Sequence, residues 1–131
     1  MKITYIAKFE AEDDGYVVTF PDVPGVTTEG DNLDEAIYMA EDALKTFSEQ
    51  ELDEGRQLKS ARPLSVVVKD EGQGPHLFMA ITVEVKSKAK PVPISFQPHA
   101  LKRIDKYAEE KGLTRSGLLM AATLEYMQKH K

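Results

Sequence analysis

Hydrophobic and polar positions alternate with a period of two at the start of the chain. Ile3, Tyr5, Ala7 and Phe9 are interleaved with Lys2, Thr4 and Lys8, which predicts a strand with one buried face. Asp13-Asp14-Gly15 is a turn signal, and Tyr16 to Phe20 then resumes as the second strand of an antiparallel hairpin. In Pro21-Asp22-Val23-Pro24-Gly25 two prolines fix φ and a glycine accepts positive φ, so a rigid turn follows; Asp22 suits capping of that turn. Val26 to Glu29 reads as a third strand, completing a meander. The period then changes. Leu33, Ile37, Ala40, Leu44 and Phe47 recur at helical spacing, with Asn32 placed to cap and Glu35 three residues on. This helix should lie on one face of the sheet and end before Gly55, with an acidic outer face of Glu41, Asp42, Glu49, Glu51, Asp53 and Glu54. Leu64 to Val68 is rich in β-formers, yet Ser65 could equally cap a short helix, so this stretch is open to either element. Gly72 to Pro75 is a loop, and Met79, Ile81, Val83 and Val85 alternate through a further strand.

No internal repeat appears, and the last third has a pattern of its own. Ser87 to Pro91 has linker composition. Val92, Ile94 and Phe96 alternate with Pro93 and Ser95 in a short strand. Pro98 suits the first turn of a helix in which Leu101, Ile104 and Ala108 form one stripe, with Tyr107 beside it. Gly112 stops that helix and Thr114 caps the next, whose buried face is Leu118, Ala121, Ala122, Tyr126 and Met127. Phe96, Tyr107 and Tyr126 all fall on apolar stripes, so they read as half-buried packing rather than stacking platforms. A segment of roughly 45 residues is marginal alone, so it is expected to complete its core by oligomerising.

Charge sharpens this division. From Met1 to Lys86 there are 8 Lys/Arg against 18 Asp/Glu, a net of −10; from Ser87 to Lys131 there are 9 against 4, a net of +5. The whole-chain value of −5 conceals the split. An acidic part suits a basic partner, and a basic part suits a polyanion such as nucleic acid. With 41% hydrophobic and 30% charged residues the chain is expected to fold and be soluble. Its apolar runs are too short to span a bilayer, and Met1-Lys2-Ile3-Thr4 carries no secretory pattern. The absence of cysteine fits a reducing cytoplasm. His76, His99 and His130 lack ligand spacing, so neither a metal site nor a cofactor is expected.

Strand, helix, Gly112-Leu113-Thr114-Arg115-Ser116 and helix together resemble the ribbon-helix-helix DNA-binding fold. The run from Gly15 to Gly30 (Gly-Tyr-Val-Val-Thr-Phe-Pro-Asp-Val-Pro-Gly-Val-Thr-Thr-Glu-Gly), followed by Leu33-Asp34-Glu35-Ala36, resembles the HicB antitoxin signature. The two resemblances cover nearly the whole chain in the order that HicB proteins show. They imply an α+β protein: residues 1–86 a partial, catalytically degenerate RNase H-like domain, 87–91 a linker, and 92–131 a ribbon-helix-helix module. The implied role is a non-enzymatic antitoxin that blocks a HicA-type ribonuclease and represses its own operon.

On that resemblance, Asp22, Glu29 and Asp31 are expected to meet the toxin. Lys90, Pro93, Ser95, Thr114, Arg115 and Ser116 are expected at double-stranded operator DNA, the last three at a helix start suited to phosphate. Val92, Ile94, Phe96, Leu101, Ile104, Leu118, Ala122 and Tyr126 are expected to join two copies into a homodimer or higher oligomer. Lys102, Arg103 and Lys106 form a further basic group on the first helix of this module. One departure stands out: Pro91 and Pro93 occupy outward ribbon positions that relatives usually fill with Arg and Asn. Sequence reading should therefore rest more on Ser95, Lys90, apolar contact of Pro93 with a thymine methyl, and DNA shape.

Two other functions fit parts of the pattern. An active RNase H-like nuclease needs carboxylates converging on two ions, and the acids here sit mostly in a turn or on one helix face. A repressor with a ligand-sensing front domain would need a binding motif, and no glycine-rich phosphate loop is present.

Overall fold

The computed structural model describes residues 1–72, 74–86 and 89–131. Eight elements follow in order: β1 (Lys2–Glu12), β2 (Gly15–Thr19), β3 (Thr27–Gly30), α1 (Leu33–Asp53), α2 (Leu64–Glu71), β4 (His76–Glu84), α3 (Pro98–Glu110) and α4 (Arg115–Lys129). Contacts divide the chain into two compact units, Met1–Ala89 and Lys90–Lys131. The division falls inside the expected 87–91 linker, of which Ser87 and Lys88 lie outside the described residues, as does Gln73 of the expected 72–75 loop.

In the first unit the sheet order is β3-β2-β1-β4, with every neighbouring pair antiparallel. β1 to β3 form the expected meander, and β4 adds on the far side of β1, pairing from Lys2 opposite Glu84 to Glu10 opposite His76. The β1–β2 hairpin turns at Asp13, whose φ of 43° is in the left-handed region that aspartate tolerates better than most side chains. After β2 the chain turns through Val23 N–H donating to Phe20 C=O (2.9 Å), with Gly25 at φ 101°. That geometry needs glycine.

α1 begins as its sequence predicts: the Asn32 side chain accepts from the Glu35 amide at 2.8 Å, while Asp34 and Glu35 sit at the positive end of the helix dipole. Its buried line is displaced from the expected stripe. Ala36, Ala40, Leu44 and Ser48 are fully covered, whereas Leu33, Ile37 and Phe47 flank them half-buried. The cause is a close approach between helix and sheet. A Cβ added to Gly30 would lie 2.4 Å from the Ala36 nitrogen and 2.7 Å from its Cα. Two small residues thus let α1 settle on β3, and the main core forms around Phe9, Val18, Leu44 and Ile81. Ile6 points to the opposite face of the sheet from Tyr5 and Ala7, and it is buried outside that main cluster, as is Val67 of α2.

The ambiguous stretch after Pro63 is a helix, α2. Ser65 lies inside its first turn instead of capping it; Pro63 precedes it, and the Pro63 carbonyl accepts from Val66 and Val67. Only Val67 of its apolar run is buried. Tertiary anchoring overrides β propensity here: Arg62, immediately upstream, pairs with both Asp22 and Asp70.

The second unit holds two helices joined by a glycine turn, with Pro98 at the start of α3 and Gly112 at φ 69° beyond its end. The expected strand from Val92 to Phe96 is not a strand within one chain: it lacks ladder hydrogen bonds to any described segment. A strand exists only through its partner, and this unit has no second strand to offer.

Replacing Gly30 with Ala should destabilise the first unit by about 1–3 kcal/mol, because its Cβ meets backbone that cannot retreat cheaply. Glu29→Ala, one residue away on an exposed position, should stay within about 0.5 kcal/mol. Urea denaturation of the full chain, followed by circular dichroism, checks the contrast.

Candidate functional site

The turn after β2 gives Asp22 a role that neither turn capping nor partner contact describes. Its side chain is 9% exposed and accepts from the Arg62 backbone N–H at 2.7 Å and from Arg62 Nε at 2.5 Å. Arg62 Nη1 reaches on to Asp70 at 2.8 Å. The Asp22 carboxylate holds the Arg62 guanidinium more firmly protonated than usual, and burial together with the Asp22 charge raises the Tyr5 phenol above its ordinary pKa. The Tyr5 hydroxyl donates to the Lys59 carbonyl. Asp22 and Tyr5 thus bind the otherwise irregular segment 57–63 to the sheet. Asp22 is consequently a poor candidate for toxin contact: its oxygens are covered and engaged.

Glu29 and Asp31 differ. Both are exposed and border a shallow depression with Glu12, Asp13 and Asp14, at the hairpin end of the sheet. Five acidic residues thus border one depression. The outer face of α1 contributes less negative potential than its sequence implies. Glu49 accepts from the Lys86 backbone N–H at 3.0 Å, and Arg56 pairs with both Glu51 and Glu54. Hydrogen bonding from Arg56 holds the Glu51 carboxyl below the usual carboxylate range. Glu41 and Asp42 remain exposed, beside an exposed Tyr38. Among the described residues no three His, Asp or Glu side chains are grouped to hold a metal ion.

The second unit places its candidate nucleic-acid residues in two regions. Lys90, Pro93 and Ser95 lie exposed along the extended segment that precedes α3. Thr114, Arg115 and Ser116 form the start of α4, where the Thr114 hydroxyl accepts from the Gly117 amide at 3.0 Å. Arg115 is already occupied: Nε and Nη2 donate to the two carboxylate oxygens of Asp105 at 2.8 and 2.7 Å. The first amides of a helix have no partner inside it, so those of Arg115 and Ser116 face outward as donors.

Apolar side chains in this unit are left uncovered. Among its described residues only Ala108 is fully buried. Val92 and Ile94 are about two-thirds exposed (65% and 66%) and Phe96 is 38% exposed. Leu101, Ile104 and Leu118 are half-buried, and Ala122 and Tyr126 are exposed. Ile104, Tyr107, Leu118, Leu119 and Ala122 line an open groove of about 750 Å³, with Arg103 and Lys106 on its border. Of the basic group Lys102, Arg103 and Lys106, the last two edge this apolar groove. Tyr107 and Tyr126 are exposed in the single chain, contrary to half-buried packing: the Lys111 ammonium lies 5.6 Å from the Tyr107 ring, and Tyr126 stacks on His130 at 4.1 Å.

Sequence reasoning missed Arg62, Asp105 and Ala36. Asp22 and Arg62 stand 40 residues apart, and nothing local marks them as a pair. Asp105 and Arg115 are 10 apart across a turn, and opposite charges flanking a glycine turn could have suggested them. Ala36 belonged to the recognised signature, although its spacing from Ala40 and Leu44 was the better signal.

Comparison with known proteins adds a family. A family model described as "HicB_like antitoxin of bacterial toxin-antitoxin system" matches residues 3–123. An uncharacterised 14.9 kDa protein of Haemophilus phage HP1 is 30% identical over 101 residues, covering 75% of this chain and 76% of that one. Antitoxin HicB 2 of Photorhabdus laumondii is 41% identical over 54 residues, but the match spans only 41% of this chain and 39% of the antitoxin. The crystal structure of the Burkholderia pseudomallei antitoxin HicB superposes with a TM-score of 0.58 at 25% identity, over 98% of this chain and 99% of that one.

The Asp22–Arg62 contact is expected to be structural. Asp22→Asn and Arg62→Ala should each cost about 1–3 kcal/mol, with a coupling of at least about 0.5 kcal/mol in the double-mutant cycle. Urea melts measure both. An Asp22→Asn protein of unchanged stability that lost partner binding would contradict this role.

Proposed function

The chain belongs to the family of HicB-like antitoxins of bacterial toxin–antitoxin systems, and on that premise we propose how its two units divide the work. The first unit, read as a partial RNase H-like domain without catalysis, masks a HicA-type ribonuclease. A nuclease that grips RNA phosphates presents a basic surface, and the carboxylates around Glu29 and Asp31 supply the complementary potential. Complementary charge speeds encounter and excludes wrong partners; tight binding comes from what is buried afterwards.

The second unit, read as half of a ribbon-helix-helix module, holds operator DNA as a homodimer and represses the operon. The observation that carries this reading is the single buried side chain, Ala108, in a unit rich in apolar residues. Two copies that pair residues 92–96 antiparallel give each extended segment the ladder partner it lacks. They also bring Val92, Ile94 and Phe96 of each chain together with the groove-lining residues of α3 and α4. Completing the burial of each such side chain contributes about 1–2 kcal/mol. Pro91 and Pro93 offer no N–H, which is tolerable on a two-stranded ribbon where each strand has one free edge. Lys90, Ser95 and the start of α4 then lie on exposed positions available to DNA, phosphate contact positioning the module and Ser95 reading bases.

Co-expression with the product of the adjacent toxin gene should relieve growth arrest and yield a copurifying complex; failure of both outcomes would overturn the antitoxin mechanism. Glu29→Lys combined with Asp31→Lys should slow association with the toxin by about tenfold at low salt, measured by surface plasmon resonance. For DNA, Arg115→Ala should weaken binding to all duplexes and flatten the salt dependence. Ser95→Ala should instead change the preference between operator variants. Fluorescence anisotropy titrations across salt concentrations separate the two effects, and identical behaviour of both variants would contradict the division.

A further inference from the structure

We infer that Asp105 is an intramolecular competitor for DNA phosphate: it occupies the guanidinium edge of Arg115 that a phosphate would take. This rests on the proposed DNA-binding role of the second unit. Three observations converge on it. Arg115 is the first residue of α4, where outward amides and the positive end of the helix dipole favour an anion. α4 has no acidic residue in its own first turn, and the carboxylate that meets Arg115 belongs to Asp105 of α3. Finally, Asp105 meets Arg115 with two parallel hydrogen bonds, 2.8 Å from Nε and 2.7 Å from Nη2, the fork geometry that carboxylate and phosphate share.

The pair is open to solvent, with side-chain exposures of 43% for Asp105 and 53% for Arg115. An exposed ion pair is weak enough to exchange, so DNA can displace it. The same edge of one guanidinium cannot hold both acceptors in that geometry. Binding to DNA therefore trades carboxylate for phosphate, and the free Asp105 stays close to the backbone it has been displaced by. The consequence is a module whose affinity for arbitrary DNA is held down. Because a phosphate contact carries no sequence information, operator binding is held down by the same factor, and the preference for operator over arbitrary DNA rests on the base contacts.

Asp105→Asn keeps the shape and removes the competing charge. In the full chain, binding to a short random-sequence duplex should tighten about threefold per protomer, and the log–log salt slope should steepen by up to about 0.9 per protomer. Glu125→Gln removes an equal charge from a carboxylate that pairs with Lys129 near the other end of α4, and should change both quantities less. In the Asp105→Asn/Arg115→Ala double variant the gain should vanish, leaving the affinity of Arg115→Ala. Circular dichroism establishes that all four variants keep their helices. The inference is overturned if Asp105→Asn weakens binding, matches Glu125→Gln, or retains its gain without Arg115. If the unaltered chain binds the duplex and Asp105→Asn is silent, the inference alone fails. If neither binds at low salt, the DNA-binding reading fails and takes the inference with it.

Discussion

The proposal for the second unit rests on a core that one copy of it leaves open. Two helices and an extended segment offer apolar faces to each other and to solvent, and among the described residues of this unit only Ala108 is fully covered. A helix pair of this size buries too little surface to offset the entropy of ordering it. Everything proposed for this unit follows: pairing of the extended segments, symmetry of the module, and presentation of two α4 starts to one duplex.

The first unit meets the same problem in another way. Its four strands and α1 close a core through the approach of Ala36 to Gly30, and Asp22 and Tyr5 fasten the irregular stretch between α1 and α2. This unit can thus leave its charge on the outside for a partner. Arg56 and the Lys86 amide engage Glu49, Glu51 and the capping Glu54, Glu41 and Asp42 stay exposed on α1, and the acids around Glu29 and Asp31 gather at the hairpin end of the sheet. Where charge is free, as much as how much there is, sets the surface a partner meets.

The strands of the first unit, both caps and the glycine turn were legible because each is a local rule: alternation, a side chain three residues from an amide, a residue tolerant of positive φ. The register of the buried line on α1 was not, because it follows the absence of a side chain on Gly30, which periodicity does not see. α2 was ambiguous for a similar reason; Val66, Val67 and Val68 favour strand until Arg62 pins the segment from outside. Of the candidate site residues, Glu29 and Asp31 lie exposed, whereas Asp22, identical to them in charge, is closed off by a residue 40 positions away. Arg115 stood out at a helix start, but its pairing with Asp105 depends on how α3 and α4 meet.

Sedimentation velocity of the full chain at micromolar concentration tests the central claim most directly. The account predicts a dimer or larger assembly that dissociates on dilution, with helicity of the second unit falling as it does so. A monomer at that concentration whose α3 and α4 remain fully formed would contradict it.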